Sequence, residues 1–253
     1  MRHGIAEHNF PGADLKSPTL LDPPLVTRGK FGAIEAGKKI QMWFMTRGKR
    51  IDLVVSSPLT RCLQTASLAF LPGDDYPSSN DNEQQSRSIP IACTELPREA
   101  HGVHYPDKRR SKDLLEVCCY RYSALIRIDC FMALDSIICL HCFVLPSSLQ
   151  KYWPSVRFDS KMSNPDELWH ETERESIQGI ADRATEFLKK LCTLSENALV
   201  VVSHGVFLEI LFQKHDPNVL AEGRRVYNCD AFACECVSSE NGTFLRLQNT
   251  YLI

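Results

Sequence analysis

The chain contains no window of about 18 to 20 uncharged apolar residues, the length a helix needs to cross a bilayer. It also shows no charged-then-apolar leader ending in a small-residue cleavage site. The expectation is a cytoplasmic protein with no membrane partner. Charge of one sign is missing as well: 29 Lys and Arg stand against 31 Asp and Glu, a net charge of -2. That balance gives no global reason to bind nucleic acid or an acidic surface, so any anion binding must be local. A complete set of zinc-site cysteine pairs is also lacking. There are 11 cysteines, an odd count, and Cys118, Cys119, Cys130, Cys139 and Cys142 crowd one segment. In a reducing compartment they read as free thiols. Cys139-Leu140-His141-Cys142 has the form of half a zinc site, but no second pair follows at matching spacing, so these cysteines are taken as incidental.

What is present is ordinary globular material. An apolar fraction of 43% and a charged fraction of 24% over 253 residues suit a single large domain, residues 1–253, around one core. Several stretches read as strand then helix, the pattern of a parallel sheet covered by helices on both faces. Ile51 to Ser56 is a β-rich apolar run. Ser57-Pro58 then offers an N-cap and an N1 proline for a helix with Leu59, Cys62, Leu63, Ala66 and Phe70 on one face. Leu199 to Ser203 repeats the strand, and Gly205 to Phe212 turns into helix. Ile177, Ile180, Ala184, Phe187, Leu188 and Leu191 recur at helical spacing as a packing stripe, and Arg28 to Thr46 reads as another helix. Leu71 to Pro90, rich in Ser, Asp, Asn and Gln, reads as an exposed loop.

Ligands of such sheets gather at the carboxyl ends of strands, and two His-Gly pairs fall at ends of this kind. Met1-Arg2-His3-Gly4 opens the chain, and Ser203-His204-Gly205 closes the later strand. Transfer of a phosphoryl group needs a nucleophile, positive donors for the phosphate oxygens and a proton donor for the leaving alcohol. A neutral imidazole at His3 is a candidate nucleophile, dividing one difficult step into two through a phosphohistidine. Arg2 and Arg61 each offer a planar fork of donors that matches phosphate and stays charged at any working pH. His204 is a further candidate donor to the charge that builds on the transferring group. Glu99, in Arg98-Glu99 before a His101/His104 loop, is the chosen general acid, with Glu95 as its competitor. Asp107-Lys108-Arg109-Arg110 reads first as a solvated turn and second as a recognition site for a phosphorylated substrate. His101 and His104 sit among glycine and proline, so a loop is expected there rather than a metal site. The chemistry requires no metal and no cofactor.

Three segments taken in order are specific: Arg2-His3-Gly4 with Asn9 five residues on, Ser56-Ser57-Pro58-Leu59-Thr60-Arg61-Cys62-Leu63-Gln64-Thr65-Ala66, and Ser203-His204-Gly205. Together they resemble the histidine phosphatase superfamily, the phosphoglycerate-mutase-like proteins. Arg98-Glu99, Gly102-Val103-His104, Asp107-Lys108-Arg109-Arg110, Leu168-Trp169 and Arg174-Glu175 are similar to a branch found in plants, fungi and related eukaryotes. The resemblance implies a three-layer α/β/α sandwich with a mostly parallel central sheet. It implies His3 as nucleophile, Arg2, Arg61 and His204 as the phosphate pocket, Asn9 lining it and Glu99 as proton donor. The expected function is a phosphatase acting on a small phosphate monoester, with a mutase and a non-catalytic phosphate-binding protein as alternatives.

Two departures from that pattern carry expectations of their own. The family has a β-strand directly before Arg-His-Gly, so the first strand is expected to be truncated here and the natural reading frame to start upstream of Met1. Native peptides extending beyond Met1 would support this. Residues Glu116 to Leu149 form an apolar, cysteine-rich interruption with neither helical nor strand period. Removing it joins Lys112-Asp113-Leu114-Leu115 to Gln150-Lys151-Tyr152-Trp153 in an ordinary amphipathic stretch, which points to a retained intron. A transcript that skips these codons is the expected observation.

Overall fold

The structure is a computed structural model that describes residues 1–70, 89–116, 156–220, 223–238 and 245–253. The interruption from 117 onward, with Cys118, Cys119, Cys130, Cys139 and Cys142, lies outside the described residues, as does most of the 71–90 loop. Among the described residues no cysteine forms a disulfide.

Helix α1 runs Thr27–Met45, strand β1 Leu53–Ser56, helix α2 Thr60–Phe70, and strands β2 and β3 Ile91–Cys93 and Val156–Phe158. Helix α3 follows at Ile177–Cys192, strand β4 at Leu199–Val202 and helix α4 at Gly205–His215, and the hairpin of β5 (Phe232–Ser238) and β6 (Leu245–Leu252) completes the chain. Four strands form a fully parallel sheet in the order β3-β2-β1-β4. Successive side chains of a strand point to opposite faces, and the core divides on that rule. Val54, Val200 and Val202 pack under α1 and α2, whereas Leu53, Val55 and Val201 pack under α3 and α4. The result is an α/β/α sandwich, as the strand-helix pattern implied.

Each helix has a local reason to form where it does. The buried side of α1 is Gly29, Ala33, Ala36, Gly37 and Ile40, a stripe of small residues that lets backbones approach. A Cβ on Gly37 would run into the carbonyl of Ala69 in α2. Helix α3 starts at Ser176, whose hydroxyl accepts from the Gly179 N–H at 3.0 Å, and it ends on Lys189 and Lys190, which suit the negative end of the helix dipole. Of its predicted stripe, Ile180, Ala184, Phe187 and Leu188 are buried, but Ile177 is 74% exposed.

The start of α2 corrects the sequence reading. Ser57 and Pro58 precede the helix in a turn, and Leu59 is the residue whose carbonyl takes the first helical N–H groups, those of Cys62 and Leu63. The cap comes from a distant residue: Asp22 accepts the Thr60 N–H at 2.8 Å through one oxygen and the Thr60 hydroxyl at 2.7 Å through the other. Asp22 is fully buried, and burial raises its pKa despite these bonds. Leu59, Cys62, Leu63, Ala66 and Phe70 are all buried, as their spacing required.

The opening residues lie along β4. The terminal amine donates to Val201 O (2.9 Å), Ser203 N–H to Met1 O (3.0 Å) and His3 N–H to Ser203 O (2.9 Å). On the other side, Arg2 N–H donates to Asp230 O at 2.9 Å, just before β5. These bonds hold Arg2 and His3 at the carboxyl end of the sheet. Among the described residues no helix is long and apolar enough to cross a membrane.

Candidate active site

His3 is 1% exposed and sits between Gly4 and Arg61. Its Nδ1 lies 2.6 Å from Gly4 O, and a carbonyl only accepts, so the proton is on Nδ1. Nε2 is left with a lone pair, which accepts from Arg61 Nε at 3.2 Å. Burial first, then the charge of Arg61, pushes the His3 pKa well below its ordinary value, so the ring is neutral. Gly4 is required by close approach, because a Cβ there would meet the Gly29 backbone at the start of α1.

Arg61, from the first turn of α2, is also 1% exposed. Besides His3 it reaches Pro106 O, Asp107 Oδ1 (3.0 Å) and His204 Nδ1 (3.1 Å). A guanidinium only donates, so His204 Nδ1 accepts and its Nε2–H is directed to Ser57 Oγ at 2.8 Å. His204 therefore uses both ring nitrogens to hold Arg61 and Ser57. Its ring lies 5.1 Å from that of His3, and burial lowers its pKa well below the usual value. Cys62 Sγ is 3.3 Å from His204 Nε2, and burial drives this thiol up to about 12, so it stays protonated.

Arg2 lies across the first turn of α4. Its Nη1 donates to Val226 O at 2.7 Å, and a Cβ on Gly205 would come within 3.2 Å of its Cζ. The first His-Gly pair thus needs its glycine for close approach to α1, and a side chain in place of the second glycine would crowd the Arg2 guanidinium. Arg2 Nε is buried with no hydrogen-bond partner. Glu99 reaches the same helix start: Oε2 accepts from Val206 N–H (3.2 Å) and Oε1 from Ala100 N–H (3.0 Å). Burial and the nearby Asp107 charge raise its pKa, against the pull of Arg61. Its competitor Glu95 is engaged elsewhere, by Arg98 at 2.9 Å and Arg109 at 2.8 Å.

The Asp107-Lys108-Arg109-Arg110 run differs from both of its sequence readings. Arg109 is buried and donates to four carbonyls, those of Arg110, Ser163, Asn164 and Pro165, so it ties two loops together instead of facing solvent or substrate. Asp107 is buried as well, bonding Arg61 through Oδ1 and Arg174 through Oδ2 (2.8 Å). Lys108 lies 4.2 Å over the Trp169 ring. His101 and His104 are in a loop, facing Glu175 and Asp107. That loop is held tightly: Val103 has a φ of 64°, costly for a β-branched residue, and its N–H donates to His170 O at 2.8 Å.

Three residues at the site carried no legible role in the sequence. Asn228 donates through Nδ2 to His3 O (3.0 Å), Gly4 O (3.3 Å) and Asn9 Oδ1 (3.2 Å). Asp107 orients Arg61, and the His8 ring lies 5.7 Å from the His3 ring. No spacing rule marks Asn228, whose partners lie at the other end of the chain. Asp107 was hidden by its basic neighbours. Asn9 itself contacts Ala6 N–H through Oδ1 at 3.0 Å and His8 Nε2 through Nδ2 at 3.1 Å.

Residues 150–249 match the model of the histidine phosphatase superfamily, branch 1. Over that segment the chain is similar to the histidine phosphatase superfamily. It is 30% identical over 175 residues to a phosphoglycerate mutase-like protein 1 of Arabidopsis thaliana, covering 63% of this chain and 50% of that protein. A second Arabidopsis thaliana phosphoglycerate mutase-like protein is 26% identical over 200 residues, covering 74% and 61%. The chain thus spans between half and two thirds of the length of these relatives. The fold is also that of solved structures. A mycobacterial glucosyl-3-phosphoglycerate phosphatase matches with a TM-score of 0.51 at 16% identity, covering 99% of this chain and 93% of its own. A protein described as mycobacterial hydrolase 1 gives the same score and identity, covering 100% and 93%.

Proposed function

We propose that this chain is a histidine phosphatase that hydrolyses a small phosphate monoester through a phosphohistidine on His3, within one catalytic domain. The observation that carries the reading is the tautomer of His3. With the proton held on Nδ1 by Gly4 O, the lone pair falls on Nε2, where it accepts from Arg61 Nε and attacks phosphorus when a phosphoryl group takes over that arginine.

In the first step the Nε2–P bond forms and the ester P–O bond breaks, and the leaving oxygen takes the proton held on Glu99. Arg2, Arg61 and Asn9 contact the phosphoryl oxygens as charge builds, and His204 holds Arg61 through Nδ1 and Ser57 through Nε2–H. In the second step water attacks the phosphohistidine, returning its proton to Glu99 and releasing inorganic phosphate. These groups supply nucleophile, charge and proton, so the reaction as proposed uses no metal or cofactor. The raised pKa of Glu99 suits a carboxyl that must keep its proton until the bond breaks.

Release of inorganic phosphate from an aryl phosphate tests the reading. Turnover by the chain that drops by about 1,000-fold or more in His3→Ala is the expected result, since removal of a nucleophile abolishes the covalent route. Turnover unchanged in His3→Ala contradicts it. Retention of the phosphoryl group on the substrate skeleton, without phosphate release, assigns a mutase instead.

A further inference from the structure

His8 follows His3 by five residues and takes no part in the reaction as proposed, yet its hydrogen bonds fix where its proton is. The Ala6 N–H, a donor only, points at Asn9 Oδ1 (3.0 Å), and Asn228 Nδ2 points at the same atom (3.2 Å). Asn228 is itself oriented by the carbonyls of His3 and Gly4. The oxygen and nitrogen of the Asn9 amide are thereby assigned. Its Nδ2 is a donor, so His8 Nε2, 3.1 Å away, must accept. A neutral His8 then carries its proton on Nδ1. The ring is neutral because burial, with Arg61 and Arg2 nearby, lowers its pKa to about 2. That Nδ1 is buried and has no hydrogen-bond partner.

A buried N–H donor without an acceptor is costly and calls for an explanation. The His8 ring lies 5.7 Å from that of His3, whose Nε2 accepts from Arg61, so His8 stands beside the same group of residues. Arg2 Nε, on the same pocket, is likewise a buried donor without a partner. Two orphaned donors beside a histidine lone pair are complementary to an anion rich in acceptor oxygens.

We propose that His8 is a further phosphate-contacting residue of this site, donating its Nδ1–H to an oxygen of the transferring phosphoryl group. The role rests on His3 being the centre of phosphoryl transfer. As a neutral donor fixed by the Asn228–Asn9 relay, His8 selects an acceptor oxygen without adding charge to a site that already holds two arginines. Asn9 then acts on the substrate through the tautomer of His8 as well as by direct contact.

The test uses two substitutions that separate the ring nitrogens. In His8→Asn the amide nitrogen reaches the place of Nδ1, and in His8→Gln it reaches that of Nε2. The readouts are kcat/KM for an aryl phosphate and the affinity for orthovanadate by calorimetry, which needs no turnover. His8→Gln is expected to lose about 10- to 100-fold in both, the range for one hydrogen bond to a charged group. His8→Asn should stay within about threefold of the parent chain on that same account. Equal losses in both variants would mean that His8 only packs or positions Asn9, and no loss in His8→Gln would also overturn the proposal. Failure of the phosphoryl-transfer reading is told apart by His3→Ala: if that variant turns over normally, the centre is misplaced, whatever His8 does.

Discussion

Burial and the guanidinium of Arg61 both disfavour a proton on His3, and burial favours one on Glu99. The two shifts set the shape of the pH profile. Nucleophilic attack needs neutral His3, so the acid limb of kcat/KM should lie below the ordinary histidine value of 6.5. The basic limb should follow Glu99, above the ordinary carboxyl value of 4.5, and should vanish in Glu99→Gln with an unactivated alkyl phosphate. An acid limb at or above 6.5 would contradict the placement of His3 beside Arg61. Much of this residue-scale chemistry was legible: His3, Arg61 and His204 are chemically distinctive groups next to strand or helix ends. The relay that orients them was not. Asp107 was masked by the basic residues after it, and Asn228 acquires its role only when the segment before β5 folds back on the opening residues.

At the scale of elements, the loop carrying Glu99 is held by buried ion pairs more than by apolar packing. Arg98 donates to Asp166 through both terminal nitrogens, at 2.9 and 2.7 Å, with side-chain exposures of 0% and 2%. Asp166 also accepts the Arg109 N–H at 2.7 Å, which joins the 95–110 loop to the segment before α3. Arg183 adds bonds from α3 to the carbonyls of Leu96 and Arg98. Asp166→Ala leaves the buried Arg98 guanidinium with Glu95 and the Asp107 carbonyl as its remaining acceptors and should cost about 1.5 to 3 kcal/mol in chemical denaturation, the range for hydrogen bonds to a charged group. A loss below about 1 kcal/mol would show that solvent reaches Arg98, as at a surface pair. The long elements were readable, since α2 and α3 show helical period and β1 and β4 are apolar runs ending at functional residues. Strands β2 and β3, of three residues each, are too short to display a period. The cap of α2 was missed because Asp22 lies 38 residues from Thr60 and no local rule connects them.

At the scale of the whole molecule, five histidines among the described residues have pKa values lowered by burial: His3, His8, His101, His104 and His204. Their folded pKa values lie below the unfolded value of 6.5, so as pH falls through 6.5 the unfolded chain binds more protons and the fold loses stability. Asp22 and Glu99, raised by burial, act in the opposite sense: their stabilisation is complete at low pH and is lost as pH rises through their folded values. Five groups outweigh two between pH 5 and 7, the window in which the unfolded histidines titrate, and the melting temperature should be lower at pH 5 than at pH 7. Equal or higher stability at pH 5 would mean that the site is open to water. The sandwich was foreseen at this scale because strand-helix order alone dictates it, and the residues it gathers come from positions as far apart as Arg61 and His204, 143 apart in sequence. The measurement that tests the central claim most directly is trapping of the covalent intermediate. The chain is mixed with a phosphate monoester labelled in phosphorus, quenched in alkali, where phosphohistidine survives, and digested. The account predicts label on the peptide containing His3 and none in His3→Ala; substrate turnover with label absent, or carried by another residue, would contradict it.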